Sequence, residues 1–192
     1  MNDHQAKATF VAKMLEGRVV NDEKRVQLCI KGAMRGFPAT LEALRVSPPF
    51  GVSYFLETKI VDDPNSNPSE SALRMVVTPR AVHGLFASII RIFLLEPKGQ
   101  NLGVPRLDSA FICTFNEPQA ALRFARYPGI EESLLGLARV ARFSELLIRT
   151  DAGLYLAQPK SFEDLDLDVC KETFRILGEI GQIIVDSFTA ND

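Results

Sequence analysis

The densest apolar stretch of the chain is residues 78–95, TPRAVHGLFASIIRIFLL, which follows the alternating run ALRMVV. Wound at 3.6 residues per turn, Val82, Leu85, Phe86, Ile89, Ile92 and Phe93 share one face, and Ile90 and Leu94 widen it. Thr78 suits an N-cap because its hydroxyl can accept from a free first-turn amide. Pro79 suits the first helical position, where its missing N–H costs nothing. The pattern predicts a core helix with Arg80, Gly84, Ser88 and Arg91 as a narrow polar stripe. The apolar run is shorter than the ~20 residues a spanning helix needs, and Arg91 interrupts it, so no membrane contact is expected.

Elsewhere the period is 2. Val26, Leu28 and Ile30 alternate with polar or small neighbours, and residues 37–46 can return as a second strand, with Pro38 placing its start at a sheet edge. Further strands are expected around Val52–Ile60, Leu73–Val77, Ser109–Phe115, Phe143–Thr150 and Gly153–Gln158, the last two joined at Asp151-Ala152-Gly153.

Helical spacing marks residues 5–16, with Phe10, Val11, Met14 and Leu15 on one side and Gly17 as the stop. It also marks a helix capped by Asn116 and running to Arg126, one over 129–142, and a last one from Asp168, as N-cap, to Phe188. Residues 62–71, DDPNSNPSES, read as a polar connection, and residues 96–107, EPKGQNLGVPRL, as a long irregular loop. The expected architecture is α+β: a largely antiparallel sheet of about seven strands, covered on one face by helices, with a long C-terminal helix. The 192 residues fit one domain, with 62–71 as the place where a sub-lobe would divide.

Composition narrows the function classes. A hydrophobic share of 46% and a charged share of 24% are those of a globular protein. A net charge of -2 offers no general attraction to nucleic acid or to acidic membranes. The N-terminus has no apolar core long enough for a signal peptide, and the three widely spaced cysteines suggest neither a disulfide framework nor a metal site. A reduced, cytoplasmic protein without a cofactor is the expectation.

Residues 73–158 resemble a loosely defined group of uncharacterised bacterial domains of unknown function. RMVVTPRAV, LDSAFICTF and the FSELLIRTDAGLYLAQ hairpin carry the resemblance, which covers under half the chain. It implies an α+β fold and no chemistry.

No catalytic motif stands out. Asp164, Asp166 and Asp168 are spaced like the start of a calcium loop, but Val169 and Arg175 stand where that loop needs Gly and Glu. A solvated acidic edge is the better reading, and no metal is expected. Cys113 with His83 is the one Cys–His combination to weigh, and it lacks any nucleophile-elbow signature, so no catalytic residue is assigned.

Arg123 and Arg126, like Arg139 and Arg142, fall where cations complement the negative end of a helix dipole, so structure alone can explain them. Arg80 and His83 differ, because they fall in the opening turns of the expected central helix, whose free amides favour an anion. They are the speculative ligand-binding residues, with the 96–107 loop as a possible cover. The reading favoured from sequence is a non-enzymatic module that binds a protein partner or its own copy. The alternative is a small anionic ligand, or an enzymatic site, at Arg80 and His83.

Overall fold

The computed structural model describes residues 3–20, 26–44, 51–58, 72–80 and 99–189. In chain order the elements are α1 (Asp3–Met14), β1 (Arg18–Val20), β2 (Val26–Met34), β3 (Phe37–Leu44), β4 (Val52–Leu56) and β5 (Arg74–Pro79). Then come α2 (Pro105–Ala110), β6 (Phe111–Phe115), α3 (Pro118–Ala125), α4 (Ile130–Ala141), β7 (Glu145–Arg149), β8 (Gly153–Gln158) and α5 (Leu167–Thr189). The described strands form one antiparallel sheet in the order β1-β2-β3-β4-β8-β7-β5-β6. The chain is therefore α+β with a long C-terminal helix, as the periodicities predict.

Alternation sorts the two faces. One cross-strand row runs Ile30, Leu41, Tyr54, Leu156, Leu146, Val77, Cys113, and every member is buried. A second row, Ala39, Leu56, Leu154, Ile148, Met75, is buried too. Helix α5 seals this face: its Phe174 ring meets Tyr54 edge-on at 5.0 Å. Offset by one residue, the row Lys31, Thr40, Phe55, Tyr155, Leu147, Val76, Thr114 is half-exposed or exposed throughout. Burying a Leu or Phe contributes roughly 1.5–3 kcal/mol, so the first face carries the fold.

The helix–sheet contact is close enough to require small residues. A Cβ at Gly181 of α5 would stand 2.9 Å from Thr58 Cγ2 and 3.0 Å from Leu56 Cδ2. At Gly153, which opens β8 with φ +139°, a Cβ would meet the Leu56 carbonyl oxygen at 2.1 Å. Glycine there serves both the turn expected from sequence and the approach of β4.

Several boundaries differ from the expectation. Thr78 and Pro79 do not open a helix; they finish β5, paired with Ile112 and Phe111. A strand end tolerates proline's missing N–H as a helix start does, and the β-branched run Val76-Val77-Thr78 favours extension. Residues 81–95 of the expected helix, His83 included, lie outside the described residues, as do 62–71.

Pro38 does not mark an edge, because β3 lies between β2 and β4; it sits second in the strand, beside the hairpin turn. Phe10 faces outward, 43% exposed, while Val11 and Leu15 are buried. His4 belongs to α1 and meets the Phe162 ring edge-on.

Asn116 does not cap α3. Its side chain bridges to β5, accepting from Arg74 N at 2.7 Å and donating to Ala72 O at 2.9 Å. Asp166, not Asp168, caps α5: its Oδ1 accepts from the amides of Asp168 and Val169 at 2.9 and 3.1 Å. Part of the 96–107 stretch is ordered as α2, and Gln100 bridges to Cys113. The three-residue strand β1 has no counterpart among the expected strands.

Candidate functional site

A cleft of about 860 Å³ opens where the end of β5, helix α2 and the C-terminal half of α4 converge. Its volume lies within the range of small-molecule sites. Pro79 and Arg80 come from the end of β5, Arg106, Ser109 and Ala110 from α2, and Leu135, Ala138 and Arg139 from α4, with Arg142 at its C-cap.

Each wall follows from local sequence. Pro105 starts α2 at a position where its missing N–H costs nothing. Helix α4 has Glu131 and Glu132 in its first turn and Arg139 in its last, matching the dipole at both ends. Spacing of three and four puts Leu135, Ala138, Arg139 and Arg142 along one side.

Four guanidinium groups thus line one cleft, and their states differ. Arg106 pairs with Glu131 and with Glu132, the latter at 2.8 Å, and the Glu132 hydrogen bond together with both carboxylate charges holds it more firmly protonated than an isolated guanidinium. Arg80 donates its Nε–H to the carbonyl of Asp108 at 3.1 Å, and Arg139 donates to the carbonyl of Leu135 at 3.4 Å. Both bonds use backbone oxygens rather than carboxylates. Among the described residues, Arg80, Arg139 and Arg142 make no ion pair. Three cations that make no ion pair among the described residues thus share one concave surface, a local concentration of positive charge on a chain of net charge -2.

Arg142 is also conformationally unusual. It holds φ 44° and ψ 48°, the left-handed region, where a non-glycine residue costs roughly 1–2 kcal/mol. Glycine is the commoner solution at the end of a helix.

Behind the cleft, Cys113 is buried on β6, and burial pushes its thiol up to about 12, with the Asp108 charge adding and the Arg80 charge opposing. It is a protonated core thiol. Its proposed histidine partner, His83, lies outside the described residues.

Of the two residues singled out from sequence, Arg80 lines the cleft. Thr78 and Pro79 themselves are strand, and the helix expected to follow Arg80 lies outside the described residues. Arg139 and Arg142, which the dipole accounted for, turn out to face Arg80, and Arg106 went unnoticed. Their three-residue spacing at a helix end was visible in the sequence, but its meeting with Arg80 depends on long-range packing.

Comparisons with protein-family models, curated proteins and solved structures find no match to this chain. Nothing beyond the fold is therefore carried over from the resemblance of residues 73–158. Among the described residues, no helix is long and apolar enough to cross a membrane.

Proposed function

We propose that the protein is a binding module that holds an anionic ligand in the cleft between β5, α2 and α4. The observation that carries this reading is the grouping of Arg80, Arg139 and Arg142 in one concavity without a paired carboxylate among the described residues. Guanidinium groups in a partly enclosed site favour phosphate or carboxylate, because their fork of N–H donors matches two oxygens at once. The left-handed backbone at Arg142 adds support, since local strain is retained where a particular side chain is needed. Arg80 keeps the role expected of it, with Arg139 and Arg142 beside it, while His83 lies outside the described residues.

The test is calorimetric titration of the full chain with inorganic phosphate at low ionic strength, for the parent and for Arg142→Gly. Removing one charged donor from the site should weaken binding by about tenfold or more. The glycine fits the left-handed backbone, so the unfolding midpoint should stay level or rise. Binding that survives both Arg142→Gly and Arg139→Gln would sink the reading.

A second reading, self-association, is favoured by one feature of the sheet edge. Val19 of β1 is 42% exposed and Phe10 of α1, the helix packed beside it, is 43% exposed. Among the described residues, β1 pairs only with β2, so its outer edge is unmatched. Light scattering checks this: a dimer mass that falls to monomer in Val19→Lys is the expected result. A monomeric parent at working concentration rules it out.

A further inference from the structure

The cleft is more than a cationic patch, and its second wall says what kind of anion suits it. Pro79, Ala110, Leu135 and Ala138 line it alongside the arginines. Pro79 is buried, and the other three are half-buried with apolar surface turned to the opening. Leu135 and Ala138 are three apart on α4, so they form one continuous strip, and Arg139 and Arg142 follow at its C-terminal end. Cations and hydrocarbon are thus segregated along the helix. A bare phosphate would engage the arginines but leave most of the roughly 860 Å³ and the whole apolar strip in water.

We infer that the ligand is an amphipathic anion: a phosphate monoester carrying an aliphatic chain, its head between Arg80, Arg139 and Arg142 and its chain along Leu135, Ala138, Ala110 and Pro79. This rests on the anion-binding reading above and adds the apolar half. Phosphate is preferred to carboxylate because three guanidinium groups without an ion pair among the described residues exceed what one carboxylate can engage, whereas three terminal phosphate oxygens offer a site to each. The same chemistry could arrive as a free amphiphile or as a lipid headgroup, and the test separates the two.

The full chain would be titrated with inorganic phosphate, then with butyl, hexyl and octyl phosphate, each kept below its micelle concentration. Burying one methylene favours binding by about fourfold, so affinity should climb steeply with chain length until the strip is covered. Ala138→Met narrows the strip and should flatten that climb; Arg142→Gly should weaken every member of the series. Equal affinity for phosphate and octyl phosphate would overturn the inference and leave the anion reading standing. No binding of any member would overturn both. Retention on phosphatidic acid vesicles without binding of monomeric octyl phosphate would put the hydrocarbon in a bilayer rather than the cleft, and would overturn the inference as well.

Discussion

Gln158 shows how one buried polar side chain can tie three elements together. It is 5% exposed at the end of β8; its Oε1 accepts from the Tyr54 hydroxyl of β4 at 3.0 Å, and its Nε2 donates to the Ala141 carbonyl in the last turn of α4. That carbonyl has no intrahelical partner of its own, so the amide caps the helix as well as satisfying the tyrosine. Gln158→Leu keeps the volume but leaves the Ala141 carbonyl buried without this partner, at roughly 1–3 kcal/mol, while the Tyr54 hydroxyl keeps Cys170 as a hydrogen-bond partner. Urea unfolding should show a loss of about 1–3 kcal/mol, with Tyr54→Phe losing only about 1 kcal/mol. A neutral Gln158→Leu would mean that water reaches the carbonyl. The sequence marks Gln158 only as a polar residue closing an apolar strand, because its partners are 104 and 17 residues away.

At the scale of the element, the cap of α5 separates pattern from placement. An acidic residue was expected to start the helix, and one does, two positions earlier than foreseen. The run Asp164, Asp166, Asp168 offers several carboxylates, and the cap goes to the one whose side chain reaches the second and third helical amides. Asp166→Ala should therefore cost about 1 kcal/mol in thermal or urea unfolding. Asp168→Ala, already within the first turn, should lose only a dipole interaction of about 0.3–1 kcal/mol. Equal losses would mean that the two carboxylates share the cap.

Thr78 and Pro79 carry the same lesson further, since their cap-and-proline signature is one a strand end can also bear. The neighbouring strand β6, which pairs with both, decided the outcome. Asn116 was read as a cap for a similar reason, and instead spends its amide on the backbone of Ala72 and Arg74. Short polar side chains satisfy whichever free backbone group is nearest, and only the fold says which that is.

At the scale of the molecule, one apolar cluster runs from Val11 of α1 through every strand from β2 to β8 to Ile184 of α5. Such continuity makes independent unfolding of any part unfavourable. Circular dichroism and tyrosine fluorescence should follow a single, coincident urea transition. Two separated transitions would show that the chain divides into units that fold apart, as a break near 62–71 would require.

The sequence by itself determined the α+β class, the antiparallel sheet, the hairpin at Gly153 and the long last helix, because these rest on periods of 2 and 3.6 that a chain carries locally. Only the tertiary structure decided the order of strands, the burial of β3 between two neighbours and the short edge strand β1, whose three residues are too few to show a period. The cleft belongs to the second group. Arg80 ends one strand, Arg106 lies on a short helix and Arg139 and Arg142 close another. Each has an adequate local explanation, and electrostatics adds them into one site only when packing brings their charges into a common concavity.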